Sequence, residues 1–396
     1  MRSSTNQISG IAAIPCQRHL FDIPKDVAYL NCAYISPLLN EVREAGLAGT
    51  KRKSRPWEIQ PPDFFREAEV ARQLFAELIH ANDGDIALIP AASYGIATAA
   101  RNLPLEVDQS ILLLQEQFPS NVYPWRELAK ERRARIVTLP RPEDDDWTRA
   151  ILAALDERVA VAALPHVHWT DGGVINLERV SARCREISAA LVVDGTQSVG
   201  ALPFDVEAVK PDFLAVASYK WLLGPYAAGF LYVAPKWQQA MPLEHNWIDR
   251  EGSEDFSNLV NYRDSYQPGA RRFDVGERGN IHLLPMINAG LRQLLAWGIH
   301  DIQSTIRART DRIAERASEL GMVTLPPEQR AGHYLGLRFP KGVPEGLAQR
   351  LAREQVYVSV RGRDAVRVTP HLWVSDEDED RFFDVLTAVV ARSHTV

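Results

Sequence analysis

The chain is 396 residues long, 46% hydrophobic and 24% charged, with a formal net charge of −6. This is the balance of a soluble globular protein, and the negative charge argues against a nucleic-acid-binding surface. No apolar run approaches the ~20 residues of a membrane-spanning helix, and the apolar part of the N-terminal segment is too short for a signal peptide. Cys16, Cys32 and Cys184 are widely spaced and odd in number, which suggests neither a disulfide framework nor a metal site and fits the reducing cytoplasm. The Gly-rich dinucleotide fingerprint, the P-loop and the HExxH zinc pattern do not occur, so a nicotinamide-enzyme reading lacks its main support.

Single cores stop growing beyond ~250–300 residues, so the length predicts a large and a smaller domain. In chain order, residues 1–26 read as a loosely docked arm. A short strand enters a turn at 27–37 (VAYLNCAYISP), and helical patterns follow over 40–55 and 62–81, the second of them amphipathic. IALIP reads as a strand feeding a helix that opens on small residues, AASYG. Apolar strands at 111–114, 134–142 and 159–169 then alternate with helices. This alternation predicts a largely parallel sheet with crossover helices. The third of these strands ends in His166, His168 and Trp169; no third ligand has a helpful spacing, so no metal is expected there. After residue 233 comes a long, turn-rich aromatic stretch, a length more often functional than merely connecting. From about 286 the pattern becomes long amphipathic helix, then strand, helix, two strands and helix, which suits a small α+β domain. The expected division is therefore 1–26, 27–285 and 286–396.

The chain is organised around 191–233, LVVDGTQSVGALPFDVEAVKPDFLAVASYKWLLGPYAAGFLYV. One buried strand ends on Asp194 and another runs into Ser218, Tyr219 and Lys220. A carboxylate and an amine, both costly to bury unpaired, thus stand just past strand ends, where open α/β sheets bind ligands. A pyridoxal phosphate (PLP) enzyme requires this pair: a lysine to hold the aldehyde as a Schiff base and an aspartate to keep the pyridinium nitrogen protonated. Gln197 is positioned to hydrogen-bond the ring hydroxyl, and Ser218 and Tyr219 to donate to the phosphate.

DGTQSVG, SYKWLLGP and the Gly-rich strand after them resemble the class V aminotransferase family of fold-type I PLP-dependent enzymes. That family includes cysteine desulfurases, kynureninases, isopenicillin N epimerase-like proteins and several transaminases. The resemblance implies an α/β fold with a mostly parallel seven-stranded sheet in the large domain and a smaller α+β C-terminal domain. It implies a phosphate cradle at Ala92 and Ser93, at the start of a helix where free N–H groups suit an anion. It also implies that Phe118, in FPSN, stacks on the cofactor, and that Arg367, in RVTPHLW, clamps the substrate carboxylate with Arg361 as the alternative. Asn31, Ala33 and Tyr34 are expected to approach the substrate, and Trp169 stands where desulfurases carry an asparagine. Where the family reaches a neighbouring subunit's phosphate with Gly-Thr, this chain has Gly276-Glu277; Arg272 and Arg278 are left either to supply the charge or to form surface salt bridges. A homodimer with a shared site follows from the same resemblance.

The expected function is a PLP-dependent transformation of an α-amino acid, with aminotransferase as the leading reading. The alternatives are a β-eliminating lyase of the C–S lyase or kynureninase kind, an epimerase, or a non-catalytic PLP-fold binding protein that would be colourless when purified. A persulfide mechanism is disfavoured because the C-terminal third contains no cysteine.

Overall fold

The structure, a computed structural model, describes residues 13–393. It begins with a short strand, β1 (Ala28–Tyr29), and two helices, α1 (Asn40–Lys53) and α2 (Asp63–Ile79). Strands and helices then alternate: β2 (Ile86–Ile89), α3 (Ala92–Asn102), β3 (Ser110–Leu114), α4 (Tyr123–Arg132), β4 (Arg135–Leu139), α5 (Trp147–Ala154), β5 (Val159–Pro165), α6 (Leu177–Glu186), β6 (Ala190–Asp194), α7 (Val206–Val209), β7 (Phe213–Ala217) and β8 (Gly229–Val233). Seven of these strands form one sheet in the order β2-β8-β7-β6-β5-β3-β4. All are parallel except β8, which runs antiparallel to both β2 and β7. The break in the pattern has a local cause. The link from Ser218 to Ala228 contains Gly224-Pro225 and no helix, and so cannot carry the crossover that a parallel partner requires.

Along the inner strands, alternate residues enter opposite cores. Leu112, Leu114, Val193 and Leu214 pack on one face, and Ile111, Leu113, Val192 and Phe213 on the other. With helices on both faces, the inner strands β3 and β7 are buried along their whole length, which explains their unbroken apolar runs. The edge strand β4, RIVTL, is largely exposed.

Beyond the sheet come α8 (Leu283–Trp297), α9 (Ile299–Glu319), β9 (Leu335–Arg338), α10 (Leu347–Arg353), β10 (Val356–Tyr357), β11 (Ser359–Arg361), β12 (Ala365–Val368) and α11 (Asp376–Ser393). The strands β11-β12-β9 form an antiparallel sheet. The start of the chain is built into this C-terminal region: β1 pairs in parallel with β10, and Asn31 bridges to Thr369. Of the expected N-terminal arm, residues 1–12 lie outside the described residues. The remainder is anchored: the Gln17 N–H donates to the Leu372 carbonyl at 2.8 Å, and the buried Phe21 ring meets Trp373 edge-on at 5.0 Å.

The long segment after β8 is held by a buried ion cluster. The Asp274 carboxylate accepts from Arg72 Nη1 (2.9 Å), Arg278 Nη1 (2.5 Å) and the Leu88 N–H (2.7 Å). Arg278 also donates to Asp249 at 3.0 Å and to Gln267 at 3.1 Å. Burial, with the nearby Asp274 carboxylate, pushes the Asp249 carboxyl up. Arg278, a candidate for a neighbouring phosphate, is therefore fully buried and committed to carboxylates of its own chain. Arg272 is partly buried beside the Tyr266 ring and hydrogen-bonded to Gln239.

Candidate active site

The site lies at the C-terminal ends of the parallel strands. Asp194 ends β6, and Lys220 follows β7 by three residues. Ala92, Ser93, Phe118, Trp169, Asp194, Gln197, Tyr219 and Lys220 line a single cavity of about 410 Å³. That volume falls in the usual range for a small-molecule pocket.

The turn after β6 sets Asp194. The Thr196 N–H donates to Asp194 Oδ1 at 3.0 Å, and the Thr196 hydroxyl accepts from the Ala217 N–H at 3.2 Å, tying the two strand ends together. Gly200 closes the turn with φ +104°; a Cβ there would lie 2.3 Å from the Trp221 carbonyl, so only glycine fits. Asp194 is buried, and burial raises its carboxyl above the ordinary value; Thr196 and Lys220 act in the opposite direction.

Lys220 is 5% exposed, and burial pulls its ammonium down to about 8. Asp194 opposes that shift, while Arg367 and Arg361 add to it. Its Nζ lies 5.3 Å from the centre of the Phe118 ring and 5.4 Å from that of Tyr219. A tight loop holds the lysine from behind: the Leu223 N–H returns to the Lys220 carbonyl, and the Gly224 N–H to that of Ser218.

The helix α3 starts at Ala92 with no side-chain cap, which leaves its first N–H groups without a capping side chain beside the cavity that Ala92 and Ser93 line. Phe118 meets Trp169 edge-to-face at 5.5 Å. The Trp169 indole donates to the Glu116 carbonyl at 2.6 Å, which fixes its plane. Gln197 is doubly anchored, its Oε1 accepting from Trp221 Nε1 at 3.0 Å and its Nε2 donating to the Ala33 carbonyl at 3.1 Å. One amide N–H is left for a ligand.

Ser218 does not face the cavity. Its neighbours Ala217 and Tyr219 both line it, so the side chain between them points away. There the buried hydroxyl donates to the Pro225 carbonyl at 2.6 Å, which corrects the expectation that it donates to a phosphate. Tyr219 stays in the wall, 4.5 Å from the Tyr226 ring, its phenol pushed up to about 12 by burial and therefore a proton donor.

Neither Arg367 nor Tyr34 is among the residues that line the cavity. Arg367 is buried; its Nη1 donates to the Trp169 carbonyl at 3.1 Å and its Nη2 to Ser359 Oγ at 3.4 Å. Tyr34 is 61% exposed, while the N–H of Ser36, two residues on, binds the Tyr219 carbonyl. Asn31 is buried and accepts from Ser359 Oγ at 2.8 Å, so it braces the site from behind. His166 and His168 are packing residues: one meets Phe204 edge-on, and the other stacks on Trp147.

Thr196, Gln117 and Tyr226 also line the cavity, although the sequence did not single them out. Gln117 holds the Phe118 loop by donating to the carbonyls of Asn121 and Ala163. Its signal lay next to FPSN, but nothing in one sequence separates a polar residue that braces a loop from one that is merely solvated.

Residues 62–375 match the family model described as Aminotransferase class-V. Isopenicillin N epimerase of Streptomyces clavuligerus is 25% identical over 352 residues, covering 83% of this chain and 87% of that protein. In fold, the chain is similar to a cysteine desulfurase from Thermococcus onnurineus NA1, with a TM-score of 0.81, 20% identity and coverage of 96% of this chain and 99% of the other. It is also similar to C-DES with glycine covalently linked to its PLP cofactor, with a TM-score of 0.83, 18% identity and coverage of 94% and 98%. The match spans most of the chain and both strand ends of the cavity: the protein belongs to the class V aminotransferase family of PLP-dependent enzymes.

Proposed function

We propose that this protein binds PLP in the cavity between Asp194 and Lys220 and transfers the amino group of an α-amino acid. The observation that carries the reading is a buried amine lowered to about 8, facing the same small cavity as a buried carboxylate. The residues present fit the cofactor. Lys220 suits its aldehyde, Asp194 its ring nitrogen, Phe118 a ring face, and the start of α3 with Ser93 and Tyr219 its phosphate; Gln197 keeps one N–H for the ring hydroxyl. When bound, PLP acts as an electron sink for the bond broken at Cα. Lys220, once released, serves as the base that takes or returns the Cα proton, a role favoured by its lowered pKa. Arg367 suits the substrate carboxylate, and Phe118 and Trp169 exclude water above it.

Elimination or epimerisation on the same scaffold is the second reading, supported by similarity to an epimerase and by likeness in fold to C-DES, a cystine C–S lyase. A persulfide route has little support. Cys32 is fully buried with its thiol pushed well up by burial, and its Sγ lies 3.8 Å from the Lys220 carbonyl oxygen. Among the described residues, no helix is long and apolar enough to cross a membrane. The free cysteines fit a reducing compartment such as the cytoplasm. We further infer that residues 27–285 supply the cofactor side and 286–396 the carboxylate clamp, in a homodimer. Exposed aromatic rings, Tyr226 in the cavity lining and Tyr34 outside it, support the dimer.

Protein reconstituted with PLP is expected to be coloured and dimeric by light scattering. Its visible spectrum is expected to change on titration with amino acids, with keto-acid-dependent amino transfer. Release of pyruvate or sulfide, or loss of optical activity without transfer, would replace the first reading with the second. A colourless protein that ignores added PLP would remove both.

A further inference from the structure

Four arginines gather around residues 169–171, and only two of them are neutralised. Arg141 pairs with Asp171 at 2.6 Å, and Arg338 with both Asp145 and Asp171 at 3.0 Å. Among the described residues, neither Arg361 nor Arg367 pairs with an acid; their hydrogen bonds go to carbonyl and hydroxyl oxygens.

The strand register places these two together. In the β11–β12 pair, Ser359 faces Arg367 and Arg361 faces Ala365, so all four side chains project from the same face. Arg361 and Arg367 are thus diagonal neighbours, with side-chain roots ~7–8 Å apart. The Arg361 guanidinium lies 5.1 Å from the centre of the Trp169 ring, whose side chain forms part of the cavity wall. Its one hydrogen bond is from Nη1 to the Val360 carbonyl at 3.2 Å, and its buried Nε has no acceptor. Both guanidiniums are close enough to Lys220 to act on its charge.

Two guanidiniums behind the Trp169 wall of the cavity, Arg367 buried and Arg361 partly so, with no carboxylate between them, represent a cost that a bound anion removes. An α-carboxylate satisfies one fork. Neutral side chains leave the other as it stands.

Resting on the reading of this cavity as an amino-acid site, we infer that Arg361 recognises a second anionic group, so that the substrate is an amino acid whose side chain ends in a carboxylate or another oxyanion. Arg367 then holds the α-carboxylate and Arg361 the distal group, with Trp169 fixing the Arg361 plane between them. A guanidinium fork rather than a point charge favours a planar carboxylate over a sulfonate.

Two titrations test this. In the PLP-loaded enzyme, visible spectra are followed with aspartate and glutamate against asparagine and glutamine, and with cysteate as the sulfonate. In cofactor-free protein, calorimetry compares succinate and glutarate with their half-amides. At least ~tenfold tighter binding of one acid than of its amide is expected, with cysteate weaker than aspartate. Arg361→Gln is expected to reduce the acid-to-amide ratio to near one, and Arg361→Lys to restore part of it. Equal affinity of wild-type protein for each acid and its amide overturns the inference, without any need for a variant to fold. So does an Arg361→Gln variant that weakens acid and amide alike. A coloured, amino-acid-responsive enzyme with no acid preference loses this inference alone, whereas a protein that never takes up PLP loses the underlying reading as well.

Discussion

Replacing Lys220 with alanine is expected to lower turnover by at least ~10³-fold and to leave no cofactor attached to the chain after borohydride reduction. The amine is 5% exposed and faces the Phe118 ring and the buried Asp194, so no other lysine stands ready to take its place in the cavity wall. The wild-type amine gives the matching pH signature. Only its neutral form attacks an aldehyde, and burial sets the changeover at about 8. Cofactor uptake followed by visible absorbance is therefore expected to accelerate as pH rises through about 8 and to level off above it. An ordinary lysine would still be accelerating near 10. Uptake independent of pH across that window, or full turnover in Lys220→Ala, would show that the reactive amine lies elsewhere.

The second large effect is on stability. Asp274→Ala removes the shared acceptor of Arg72, Arg278 and the Leu88 N–H, all within the core. Removing one partner of a buried ion pair costs up to ~3–5 kcal/mol; Glu69 on Arg72 and Asp249 on Arg278 remain and place the loss towards the lower end of that range. Urea unfolding is expected to show a loss of that order, with the segment around Gly276 becoming sensitive to protease. Asp144→Ala, which breaks a solvated pair with Arg149, is expected to leave the midpoint unchanged. Equal effects from the two substitutions would mean that the Asp274 cluster does not hold the segment.

The sheet was legible in the sequence because each buried strand is an apolar run of the right length, and the site because its two costly polar groups sit just past such runs. Asp194 and Lys220 announce themselves by chemistry that burial would otherwise penalise. Ser218 was misread for a simple reason: a strand's alternation sets which neighbours share a face, but the first residue past its end inherits a direction only when the fold continues it. Arg278 stayed open between a phosphate and a salt bridge; Asp274 lies only four residues before it, but Asp249 and the burial of the cluster had to be assembled by folding. A charge whose counter-ion is distant in sequence looks free. The contrast between Arg338, neutralised by Asp145 and Asp171, and Arg361, which is not, was invisible for the same reason.

The pairing of Ala28–Tyr29 with Val356–Tyr357, continued by the bridge from Asn31 to Thr369, has a consequence for biosynthesis. The segment that braces Gln197 and Tyr219 from below waits for partners made more than three hundred residues later. While the chain is still on the ribosome, the sheet can close and expose an unfinished pocket, but its floor is laid only after the last helix has emerged. Nascent protein would therefore hold the aldehyde loosely, and trimming either terminus past these contacts would undo a centre that neither terminus touches directly.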